Sequence, residues 1–165
     1  MSLDTMNNFM RWSRGMVITA TKTRPNDTTA YTAGDIAGGD GDWLFDSLGE
    51  ANMIYLMSIR FMIDAASVPS GLSTYKLHLY NAATAVPLAD NAPQTFLTAE
   101  KDKYIATIAL DAPTDKGDFL FSRTEAINIP ISLVGGKVYG RLETDGAYTP
   151  TALVVKKLAL IGVGI

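Results

Sequence analysis

The chain has 165 residues, no cysteine, and 14 Lys+Arg against 17 Asp+Glu for a net charge of -3. This excludes disulfides, thiolate nucleophiles and cysteine zinc sites, and leaves no basic footprint for nucleic acid. Charged residues make up 19% and apolar ones 47%, against roughly 25% charged in typical soluble domains, so the expected destination of the apolar surplus is contact with other proteins, a deep core under a Thr/Ser/Asn-rich surface being the alternative.

Residues 1–15 read as an extended arm and 16–165 as one β-sandwich domain. Met1 to Arg14 is polar without a clean period, and a frayed terminus is the plain alternative to an arm that reaches a neighbouring subunit. Phe9 and Trp12 favour the arm, because both are costly to leave in water. Gly15–Ala20 is too short for the apolar region of a secretory leader, and Lys22 and Arg24 follow at once. No apolar run is long enough to span a membrane as a helix, and no membrane partner is expected.

The β-branched run Met16–Lys22 predicts the first strand. Pro25, Asn26 and Asp27 predict a turn, followed by a short strand over Ala30–Ile36. The glycines of Gly38–Asp42 predict a loop, and Trp43–Leu48 a strand. Met53–Ile63 is the longest apolar element. At period two, Met53, Tyr55, Met57, Ile59, Phe61 and Ile63 share one face, which reads as a central or partner-covered strand, with a helix as the competitor.

Tyr75–Tyr80 alternates, placing His78 with Lys76 and Tyr80 on the polar face. Asn81–Pro93 reads as a loop, and Thr98–Asp102 as one helical turn capped by Thr98. Further strands are predicted at Tyr104–Leu110, around Phe119–Phe121 and at Ala126–Leu133. Gly135-Gly136 predicts a hairpin between Ile129–Val134 and Lys137–Leu142. The last strand spans Leu153–Ile161, with Lys156-Lys157 read as a bulge or an exposed edge. Eight to ten short strands without a long helix predict an all-β fold, a β-sandwich of jelly-roll type with an extended N-terminal arm.

Catalytic signals are sparse, and the expectation is a protein that is not an enzyme, with no catalytic residue, metal or cofactor. His78, the only histidine, has no nucleophile or orienting acid in a recognisable motif, and reads as a surface or interface histidine. The loop Asp35…Asp40-Gly-Asp42 has closely spaced carboxylates but misses both the glycine-rich calcium repeat and the closing Glu of a helix-loop-helix site, so a solvated turn is expected. Gly135-Gly-Lys137 lacks the phosphate-loop frame, and pairs such as Asp111/Asp115 read as loop carboxylates. A β-sandwich hydrolase using His78, Asp90 and Asp115 is the remotest reading. A carbohydrate-binding module stacking sugars on Trp43, Tyr75, Tyr80 and Tyr148 is the stronger alternative, against a core role for those rings.

Four segments, Thr23–Asp35, Tyr75–Asn81, Ala89–Pro93 and Tyr139–Pro150, together resemble a group of small virion structural proteins of tailed bacteriophages, in an order that runs through most of the chain from about Ile18. The resemblance implies a head decoration or cement protein located on the capsid surface and made in the bacterial host. Its implied partners are itself, as a dimer or trimer, and the phage major capsid protein. The interface residues expected are Phe9 and Trp12 on the arm, then Met53, Met57 and Phe61 if their face is not the core.

Overall fold

The computed structural model describes residues 14–47, 49 and 51–164. Among these residues, ten strands form two antiparallel sheets. They are β1 (Arg14–Thr23), β2 (Trp43–Asp46), β3 (Met53–Ile63), β4 (Tyr75–Tyr80), β5 (Tyr104–Leu110), β6 (Thr114–Asp115), β7 (Leu120–Thr124), β8 (Ile129–Ser132), β9 (Lys137–Thr144) and β10 (Val155–Gly164). One sheet runs β1-β10-β3-β7-β6, with β8 also paired to β3, and the other runs β2-β9-β4-β5. The pairings nest: β1 with β10, β2 with β9, β3 with β7 and β8, β4 with β5. This is a long antiparallel ribbon rolled up, the jelly roll, and the fold class expected from the strand spacing is the one found.

Both sheets line one core. Ile18, Leu158, Leu160, Ile54, Leu56, Phe61 and Ile131 come from the six-stranded sheet, and Phe45, Val138, Leu142, Leu77, Leu79 and Leu110 from the four-stranded one. Phe61 meets Tyr75 edge-on at 4.9 Å between ring centres, stitching the sheets together.

Several expected elements differ. Ala30–Ile36 is not a strand but a strap with isolated bridges, Tyr31 to Tyr148 and Ile36 to Glu143. Its β-prone side chains anchor it across the sandwich instead of entering a ladder. Gly135-Gly136 closes a tight turn with one antiparallel bridge, Val134 to Lys137, but no hairpin ladder follows: β8 pairs β3 in one sheet while β9 pairs β2 and β4 in the other. The two glycines, at φ 61° and 77°, carry the chain between layers, a path set by core packing that the dipeptide cannot encode. Thr98–Glu100 is a single 3₁₀ turn, preceded by Leu97, whose N–H donates to the Glu100 carboxylate, so Thr98 is not the cap.

Neither lysine of the last strand marks an edge. β10 is central, flanked by β1 and β3, and its irregularity lies at Ile161/Gly162. Leu56 faces Gly162 and Ser58 faces Ile161, which leaves Met57 as the extra residue of a bulge. The alternation of β3 reverses there: Ile54 and Leu56 enter the core before it, Ile59, Phe61 and Ile63 after it. The single apolar face expected of Met53 to Ile63 is therefore split in two.

Candidate functional site

The segment Thr23–Asp35 works as a clamp at the end of the sandwich. The buried Arg24 guanidinium ion-pairs with Asp90 at 3.0 Å and with Asp27 at 2.8 Å, and it donates to the Tyr31 hydroxyl and to the carbonyls of Asp27 and Thr29. Tyr31 in turn donates to Asp90 at 2.7 Å, and Asp90 also accepts from the backbone N–H groups of Gly38 and Gly39. Burial, then Asp90, raises the Tyr31 phenol far above its usual range, so it remains a donor. Strap, loop and β1 are thus tied through one carboxylate.

The acidic loop belongs to the same construction. The Lys22 ammonium donates to the carbonyls of Gly39, Asp40 and Gly41. Oxygens of the kind a hard cation takes already surround a built-in positive charge. Burial pulls the Lys22 pKa below its ordinary value, against the opposing pull of Asp42, Asp40 and Asp90. Beneath the clamp lies Lys156, wholly buried, its Nζ without a hydrogen-bond partner among the described residues and 5.6 Å from the Tyr31 ring centre. Burial lowers its pKa to about 8.

The outer face of the four-stranded sheet is roofed by the loop between β4 and β5. Arg141 on β9 makes a two-pronged pair with Glu100 at 2.7 and 3.1 Å and also donates to the carbonyls of Val86 and Thr95. Asp42 accepts from the backbone and hydroxyl of Thr84 at 2.7 and 2.8 Å. His78 lies under this roof rather than at the surface, because Phe96 packs edge-on over its ring at 5.0 Å. Its Nδ1 is 2.6 Å from the Thr107 hydroxyl and its Nε2 2.7 Å from Glu143. The sequence motif gave no sign of these partners, because they come from different strands. Burial holds the imidazole below its ordinary pKa, with Glu143 pulling the other way. Both ring nitrogens are engaged, so the histidine ties β5 to β9 across β4, and the loop reaches it only through the Phe96 ring. Beside it, Phe96, Leu97, Thr98, Glu100, Lys101 and Tyr104 line an open groove of about 300 Å³.

The outer face of the six-stranded sheet is different. Val17 (52% exposed) on β1 and Met53 (38%), Tyr55 (39%) and Met57 (47%) on β3 stand on it to either side of β10, where Val17 pairs with Ile161 and Tyr55 with Val163. The bulge at Met57 is what brings this half of β3 outward.

The expected interface residues therefore separate. Met53 and Met57 lie on this open face. Phe61 does not: it is 1% exposed and packs against Tyr75 in the core, because the bulge inverts the strand between Met57 and Ile59. Phe9 and Trp12 lie outside the described residues. Trp43, Tyr75, Tyr80 and Tyr148, considered for stacking on sugars, are all buried. Asp115 is exposed beside Gly117, to whose N–H its carboxylate is bonded, and it is in a different sheet from His78. Sequence reasoning missed Val17, whose outward position follows only from strand register, and the ion pairs of Arg24 and Arg141.

No known protein family matches the chain, and no curated protein does. Among solved structures, the chain overlaps that of tomato aspermy virus at 12% identity and a TM-score of 0.34, over 93% of this chain and 78% of the other. A particle of Israeli acute paralysis virus gives 13% and 0.33, over 99% and 80%. The vertex protein P5 of PRD1 gives 10% and 0.30, over 89% and 97%. At these values the overlap carries no argument about function, and the fold assignment rests on the strand order itself.

Proposed function

We propose that this chain is a structural protein of a virus particle, a non-enzymatic clamp that self-associates and attaches to the outside of a tailed-phage head. The observation that carries the reading is the open apolar group of Val17, Met53, Tyr55 and Met57 on the face of the sheet opposite the core. Isolated apolar side chains are ordinary on a surface, whereas a contiguous group marks a contact. A standard interface buries ~1,600 Å², about 57% of it apolar. At ~25 cal/mol/Å² this is roughly 23 kcal/mol gross, more than the association cost of about 4–15 kcal/mol. The four-segment sequence resemblance supplies the phage context, with the major capsid protein as the docking partner. Jelly rolls serve in capsids and in lectins alike, so the fold alone does not choose. The test is light scattering on the purified protein, followed by co-purification with heads. A symmetric dimer or trimer that enters particles is expected, and a strict monomer that never does so overturns the proposal.

One observation favours a second reading, a saccharide-binding module of a fibre. Phe96 and Tyr104 are exposed edge-to-face at 5.7 Å on the 300 Å³ groove. Retention on a glycan array that Phe96→Ala abolishes would support it, and a flat array would sink it.

A further inference from the structure

We propose that the outer face of the six-stranded sheet docks a protein surface rich in carboxylates, which Arg60, Arg123 and Lys157 receive beside the apolar group already described. The inference rests on the head-attachment reading above and names the chemistry of the partner surface. Ile59, Phe61 and Ile63 enter the core, so Arg60 and Met62 between them face outward. On β7, Leu120 and Ser122 are buried, which turns Phe121 and Arg123 outward. On β10, Lys156 and Leu158 are buried and Lys157 faces outward. Arg60 stands directly opposite Arg123, and Lys157 stands opposite Met62, two residues along from Arg60. Opposed residues lie about 5 Å apart at Cβ and diagonal ones about 7–8 Å. Three cations thus share one patch on the adjoining strands β10, β3 and β7.

Like charges set directly opposite each other destabilise a sheet, and this chain does little to offset them. Among the described residues Arg60 has no ion-pair partner, its Nε is buried without a hydrogen bond, and Lys157 has no partner either. Arg123 has Glu125 at 3.0 Å, but both side chains are largely in water, where such a pair contributes little. Asp64, just past the end of β3, is exposed and bonds neither cation. Residues 1–13 hold one carboxylate, Asp4, against Arg11, so the chain's own leading segment brings no surplus of negative charge. A second copy set face to face would bring three more cations. Nucleic acid fits poorly as well, because the net charge is -3 and the cations follow three residues after Met57 on β3, beside apolar surface that a phosphate backbone does not match. Carboxylates flanked by apolar side chains complement both parts of the face.

The experiment adds the full chain back to heads that lack it and follows co-sedimentation at low and high salt. Wild type is compared with Arg60→Gln, Arg123→Gln and Lys157→Gln, and with Arg60→Lys, which keeps the charge. Lys137→Gln, on the opposite sheet, is the control. Thermal unfolding and light scattering are recorded for each. If Arg60→Gln misfolds, the exposed Arg123 and Lys157 carry the test. Each neutral variant is expected to weaken head binding about tenfold, with the difference shrinking at high salt. Arg60→Lys should keep most of the binding and Lys137→Gln all of it. Arg123→Gln should unfold at the same temperature as wild type or higher, since it relieves an opposed pair. Undiminished binding by all three neutral variants overturns this contact while leaving head attachment standing. Heads that never bind the wild type overturn both. Loss of self-association with head binding intact assigns the face to a second copy, and uptake of a short DNA duplex lost in the same variants assigns it to nucleic acid; either overturns the proposal. So does a lower unfolding temperature for Arg123→Gln, which would make the opposed arginines part of the fold.

Discussion

Lys156 carries a sharp thermodynamic consequence. Its ammonium is buried with no hydrogen-bond partner among the described residues, and burial lowers its pKa from 10.5 to about 8. Between those values the unfolded chain binds more protons than the folded one, so stability should rise with pH across that window. Below about pH 8 both states are protonated and the burial penalty is complete, on the order of 3 kcal/mol at ~1.4 kcal/mol per pKa unit. Urea unfolding at pH 7 and pH 10 is expected to show this rise in the wild type and not in Lys156→Met, with the variant the more stable of the two at pH 7. The Arg141–Glu100 pair should behave in the opposite way, since both members are buried and matched. Arg141→Met leaves the Glu100 carboxylate without its ion-pair partner and should cost about 3–5 kcal/mol, part of which Glu100→Gln in the same chain should restore. A double-mutant cycle measures that coupling.

At the scale of elements, the bulge in β3 decides what the surface offers. Gly162 faces it closely: a Cβ there would lie 2.1 Å from the Tyr55 carbonyl oxygen, a backbone atom that cannot swing aside. Gly162→Ala is expected to cost at least about 2 kcal/mol. Gly15→Ala, with nothing within 4 Å, should cost far less, and thermal unfolding of the pair separates close approach from a general effect of losing glycine. The bulge also explains why periodicity misled at Phe61. Counting by two is reliable only while each residue has one partner, and an inserted residue inverts every later position.

For the whole molecule, the prediction concerns assembly. A chain beginning at Met16 loses the N-terminal segment and only the first two residues of a ten-residue strand. It is expected to keep its β circular dichroism and core while self-association weakens by an order of magnitude or more in light scattering. Loss of the β signal would mean instead that the segment is part of the fold. The clamp, the Lys22 cradle and the roof over His78 all work within one chain, which leaves the outer strip as the described surface best suited to a partner.

Local chemistry alone determined much of this architecture. Alternation and β-branching marked Met53–Ile63, Tyr75–Tyr80 and Tyr104–Leu110 at their observed bounds, because the side-chain period of a strand is a local property. Composition likewise announced more apolar area than a charged surface would balance. Tertiary structure decided what pairs with what. Gly135-Gly136 is a turn in any fold, yet which sheet each flank joins depends on where the whole ribbon finds its core. His78 acquired Thr107 and Glu143, Arg24 acquired Asp90, and Met57 parted from Phe61 by the same cause: long-range register places residues together that the chain holds far apart, and a local pattern carries no record of it.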